Sequence, residues 1–168
     1  MLAGSGAVIV LAVLGTFLIV YGKPGSAAPQ PAAGNAAQTA PAVDVSFTEV
    51  AHGLNSQVAE RANYLITSTD ELERLWKLID AATLPPEVDF NKNAVIAVFA
   101  GEQPTTGYAI SVAKVADAGI RVVSITLKKP DGSCMTGQAL TAPYEVVMIP
   151  ATSLPLAHED VWTTTSCK

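Results

Sequence analysis

Apolar residues are distributed along this chain in three regimes. From Leu2 to Tyr21 they run LAGSGAVIVLAVLGTFLIVY without a single charge, and eleven of the twenty are Leu, Ile, Val or Phe. Twenty helical residues at about 1.5 Å rise match a hydrocarbon core of ~30 Å, and on the insertion scale the segment favours lipid by roughly 3–6 kcal/mol before its Gly and Ser penalties. The second regime, Pro24 to Val43, holds eight Ala, four Pro and no charge. It has no amphipathic period and reads as an extended tether. In the third regime, from Asp44 onward, charge returns and short apolar runs alternate with Gly, Pro, Asp and Asn. The pattern divides the chain into a transmembrane anchor over 1–22, a linker over 23–45 and a β-rich domain over 46–168.

Within that domain Asn63-Tyr64-Leu65-Ile66 reads as a short strand. Ser68-Thr69-Asp70-Glu71 then offers N-cap hydroxyls with a carboxylate three residues on, the capping-box spacing. Leu72, Leu75, Trp76 and Ile79 follow at i, i+3, i+4 and i+7, one stripe able to lie on a sheet, and Pro85-Pro86 forbids continuation. Ala94–Ala100 is a continuous buried-type run. Tyr108–Val115, Ile120–Leu127 and Tyr144–Ile149 are β-branched stretches bounded by turn formers. Asp117-Ala118-Gly119 supplies a tight hairpin, whereas Lys128–Thr141 is a long polar excursion. Short links favour antiparallel pairing. The fold class is therefore mainly β, an antiparallel sheet or small immunoglobulin-like sandwich with one packed helix, preceded by one transmembrane helix.

Composition narrows the functions. With 10 Lys+Arg against 15 Asp+Glu, the net charge is −5 and no basic run exists for phosphates, so nucleic acid is not an expected partner. Two cysteines and two histidines fit no zinc-finger spacing, and neither a metal nor a cofactor is expected. The competing account of the first segment is a cleaved signal peptide with Ser26-Ala27-Ala28 as its small-residue site. The apolar stretch exceeds the ~7–15 residues of a signal core, and Pro29 follows the candidate site directly, so an uncleaved anchor is preferred. Cys134 and Cys167 both lie outside the core runs. A disulfide between them would pin the excursion to the C-terminal tail and place the domain in an oxidising, periplasmic or extracytoplasmic space.

Nucleophile signatures are missing. No Gly-x-Ser-x-Gly elbow occurs, Gly132-Ser133-Cys134-Met135-Thr136-Gly137 lacks the Lys-Ser/Thr of a phosphate loop, and His52 and His158 sit in polar, surface-type contexts. An enzyme is not expected. The segment that invites a role is Gly101-Glu102-Gln103-Pro104-Thr105-Thr106-Gly107-Tyr108. It can be a structural turn with Tyr108 entering the core, or a rigid polar loop through which Gln103, Pro104, Thr105, Thr106, Gly107 and Tyr108 dock on a partner.

The run Ala94–Ile110 with its GEQPTTGY loop, then Ile120–Leu127, then Thr141-Ala142-Pro143-Tyr144-Glu145-Val146-Val147-Met148-Ile149-Pro150, resembles the PrcB-like C-terminal domain family, named for a subunit of a bacterial protease complex. The likeness spans Asn63 to Pro150 and implies an extracytoplasmic, non-catalytic, protein-associating domain. Gln103–Tyr108 also resembles the Pro-Thr-Thr-Gly loop of chagasin-type cysteine-protease inhibitors. That pattern has Asn where Gln103 stands, and an Arg-Pro-aromatic loop that Lys129-Pro130-Asp131 does not supply. The leading expectation is a single-pass accessory or stabilising subunit, bound to lipid through residues 2–21 and to other subunits of an integral-membrane complex, whether protease, respiratory or photosynthetic. A tethered protease inhibitor is the alternative.

Overall fold

The apolar run at Ala94–Ala100 is continuous because its strand is covered on both faces. In the computed structural model, which describes residues 41–167, Ala94, Ile96, Val98 and Ala100 face one core and Val95, Ala97 and Phe99 the other. The elements are β1 (Val43–Asp44), β2 (Thr48–Gly53), β3 (Ala62–Ile66), α1 (Thr69–Leu78), β4 (Asn93–Phe99), β5 (Ala109–Asp117), β6 (Arg121–Pro130), β7 (Tyr144–Pro150) and β8 (Leu156–Thr165). Two four-stranded sheets, ordered β1-β5-β6-β8 and β2-β7-β4-β3, form a sandwich. Between them Ile96, Val98 and Val147 meet Ile110, Val112, Val123, Ile125 and Leu127. On the outer face of the second sheet α1 lays Leu72, Leu75 and Trp76 over Val95, Phe99 and Val146. The architecture is thus sheet, sheet, helix.

The helix starts where the sequence places it. The Ser68 hydroxyl accepts from the Glu71 N–H at 3.4 Å, and the Glu71 carboxylate reaches one residue further back than a capping box requires, accepting from the Thr67 N–H at 2.8 Å. That bond is the main reason its carboxyl lies below the ordinary range. The helix stops well before Pro85. Asp80 takes a left-handed φ of 45°, and the last carbonyls are claimed by Gln57, whose N–H donates to Leu78 and whose amide donates to Lys77.

Three strands are additions to the sequence reading. β1 lies inside the stretch assigned to the linker and pairs antiparallel with β5, so the sheet begins at Val43 rather than after 45. β2 pairs with β7. β8 corrects the expectation of purely antiparallel pairing: it runs parallel to β6 from Arg121↔Leu156 to Pro130↔Thr165, because the connection after Pro150 crosses from one sheet to the other. No helix of the described residues is long and apolar enough to cross a membrane; the anchor assigned to 1–22 and all of the linker before residue 41 lie outside the described residues.

Candidate functional site

At the end of β4 the chain enters the Gly101–Tyr108 loop, and its first residue fixes the path. Gly101 has φ +76°, and a Cβ there would stand 2.9 Å from the backbone of Ala59, Glu60 and Arg61, so only glycine allows that approach. The next residues are tied to the excursion between β6 and β7. Gln103 and Thr141 exchange backbone hydrogen bonds at 2.7 and 3.0 Å, and the Gln103 amide donates to the Ala100 carbonyl at 3.1 Å. The Thr141 hydroxyl donates to the Thr105 carbonyl at 3.2 Å. The Thr106 N–H donates to the Gly137 carbonyl at 3.1 Å, while the Thr106 hydroxyl accepts from the Gly137 N–H at 2.8 Å. Gly107, at φ +96°, turns the chain into β5 against Pro130 and Thr136.

The excursion is itself anchored at its base. The Asp131 N–H donates to the Thr165 carbonyl, and the Asp131 side chain accepts from the Ser133 N–H at 2.6 Å; the Ser133 hydroxyl first, and this N–H second, hold its carboxyl below the ordinary range. Cys134 is joined to Cys167 by a disulfide, as the sequence reading expected. Loop, excursion and tail are therefore one stapled unit at one end of the sandwich.

This arrangement ties down Gln103, Thr105, Thr106 and Gly107 of the candidate docking loop. Gln103, Thr105, Thr106 and Tyr108 are half-buried, and Pro104 and Gly107 are exposed. The threonines contribute to the staple: the Thr105 carbonyl and the N–H and hydroxyl of Thr106 bond to the excursion. The stapled end also presents apolar surface: Met135 is fully exposed and Leu140 is 64% exposed, both on the excursion. Sequence reasoning passed over these two residues, although large apolar side chains in a Gly-rich polar stretch are a readable signal of contact.

A second cluster lies on the flank of the sandwich. Glu145 of β7 is buried, and its carboxylate accepts from the Val112 N–H at 2.5 Å. The β5 register shifts between Val112 and Lys114, and β1 reaches only Asp117 and Ala116, so Glu145 takes a donor that no strand covers. Burial pushes the Glu145 carboxyl up; the Val112 N–H opposes this, and the charge of Glu49 reinforces it. Glu49 is itself paired with His52 at 2.8 Å on the exposed rim of a cavity of about 220 Å³. His158 lies far along the chain on exposed β8. Opposite, Arg121 is buried at the start of β6, where its guanidinium makes a two-pronged pair with Asp117 and donates to the Pro150 carbonyl. It fastens the β5–β6 turn to the end of β7.

Residues 94–150 match the sequence model of the PrcB C-terminal family. The matched stretch runs from β4 through the stapled loop and excursion to the last residue of β7. No curated protein and no solved structure matches the chain.

Proposed function

We propose, from the match of residues 94–150 to the PrcB C-terminal family, that the chain is a non-catalytic accessory subunit of a protease-associated membrane assembly. In this reading residues 2–21 hold it in lipid, the folded domain stands on the oxidising side, and it works by protein contacts alone. The observation that supports it is the stapled end. Loop, excursion and tail are ordered before any partner arrives, so little conformational entropy is lost when Met135 and Leu140 are covered. The disulfide suits an oxidising compartment.

Docking at that end is tested with the full chain, extracted in mild detergent with and without Met135→Asp and Leu140→Asp. Both side chains are exposed, so the substitutions leave the fold intact. The reading expects other membrane subunits to accompany the unaltered chain and their yield to fall at least tenfold with the double variant. Unchanged co-extraction would move the docking surface elsewhere, and a chain that always emerges alone would end the subunit reading.

A further inference from the structure

The two flanks of the sandwich are closed differently. On one, the chain crosses from β1 to β2, Val45 and Phe47 pack on the inter-sheet core, and Glu145 takes the free Val112 donor. On the other, β3 and β8 are the last strands of their sheets, bridged by the Arg61 guanidinium, which donates to the Asp160 carboxylate at 2.9 and 2.7 Å. Next to that bridge lies a cleft of about 300 Å³ with Ile96, Val123 and Ile125 among its lining. Its rim residues Leu65 and Leu156 are 47% and 41% exposed.

The main chain of β8 shows what that flank offers. The Arg121 N–H donates to the Pro155 carbonyl and the Asp131 N–H to the Thr165 carbonyl, and the register between them is unbroken. Backbone direction alternates along a strand, so the odd-numbered residues face β6, and Leu156, His158, Asp160, Trp162 and Thr164 turn their N–H and C=O groups to an edge that no strand of the described residues covers. Edge strands are commonly blunted by Lys, Pro or a bulge. β8 has none of these over ten residues, Trp162 is 55% exposed, and the charge of Asp160 is taken up by Arg61.

We infer that β8 accepts an extended segment of a partner protein as a fifth strand of its sheet. The five outward main-chain positions supply the pairing, and the exposed cleft selects leucine-sized side chains on alternate residues of the incoming segment, over Leu65 and Leu156 and against Trp162. Glu159 projects from the opposite face, exposed and accepting from the Ser124 hydroxyl at 2.6 Å, and its charge would pair with a basic residue on the added strand. Charge also argues against a second copy as occupant: self-pairing would bring the Glu159 side chains of two acidic chains to the same seam. This surface adjoins the stapled end only at Thr165 and does not depend on the identity of the assembly.

The test uses the full chain in detergent and a blocked ten-residue peptide that alternates threonine with leucine and carries one arginine among its threonines, followed by calorimetry and tryptophan emission. Saturable one-to-one binding is expected. Thr164→Pro removes an edge donor that β6 does not use and should weaken binding at least tenfold; Leu65→Asp, on the other strand of the flank, should do the same if the proline variant loosens β8. Glu159→Lys should weaken the arginine peptide and strengthen its glutamate counterpart. Absence of saturation at millimolar peptide, equal affinity across the variants, or dimerisation of the chain through β8 in place of peptide binding would each overturn the inference.

Discussion

Removing the disulfide should loosen the molecule in a specific place and by a calculable amount. Cys134 and Cys167 are 33 residues apart, and the chain-entropy relation for a closed loop of that size gives about 12 cal/mol/K, or about 4 kcal/mol at 25 °C. The structure says where the loss falls. β8 is exposed along nearly its whole length and is attached to the sandwich by one parallel ladder with β6, side-chain bonds that include Arg61–Asp160 and Ser124–Glu159, and this covalent tie just beyond its end. The assay is urea unfolding of the full chain in detergent, comparing the Cys134→Ser, Cys167→Ser double variant with the parent under non-reducing conditions. At a slope of about 2 kcal/mol/M the midpoint should drop by about 2 M. Amide exchange should accelerate in β8 and the excursion first, while β4 and β7 keep their protection. A midpoint shift below about 0.3 M, worth less than about 1 kcal/mol, would refute the reasoning.

Phe99 is fully buried between Tyr64, at 5.6 Å edge-on, and Tyr144, at 6.1 Å, so Phe99→Ala should cost about 3–5 kcal/mol in the same unfolding assay. Gly101→Ala would force a Cβ against the Ala59–Arg61 backbone in a left-handed conformation, a loss of about 1–3 kcal/mol that would separate the structural role of the motif glycine from any docking role. Because burial raises the Glu145 carboxyl, the folded state holds its proton more tightly than the unfolded chain. Its contribution to stability is complete below the ordinary glutamate value and is lost as pH rises through the folded one. Glu145→Gln keeps an acceptor for the Val112 N–H, so it should flatten that slope and raise the unfolding midpoint at neutral pH. Asp117 has the opposite sign: hydrogen bonding to Arg121 lowers its carboxyl, so its contribution is present above the ordinary aspartate value and lost as pH falls through the folded one.

What the residues disclosed depended on whether their signal was local. The Ser68 cap, the Leu72-Leu75-Trp76-Ile79 stripe and the Ala94–Ala100 run each satisfy a rule within one element, and the helix and β4 formed there. The disulfide was legible because both cysteines stand apart from the core runs. β8 was not legible. Leu156–Thr165 has no apolar alternation, since neither face of an exposed edge strand needs one, and His158, Glu159 and Asp160 read as a solvated edge. They are solvated, but on a strand whose parallel partner lies 35 residues earlier in sequence. Glu145 was hidden within an apolar run because its burial depends on a donor at Val112, set free by an irregularity in another sheet. The GEQPTTGY loop links β4 to β5, where its Pro and Gly residues place it, but its bonds to the excursion and the exposure of Met135 and Leu140 depend on a segment some thirty residues further on.

The mass of the particle that carries the full chain after gentle detergent extraction from its native membrane tests the central claim most directly. The account predicts a particle much heavier than the 17.4 kDa chain with its micelle, containing a protease-associated partner that is lost when Met135 and Leu140 are replaced by aspartate. A chain recovered only as a monomer, or released without detergent, would contradict it.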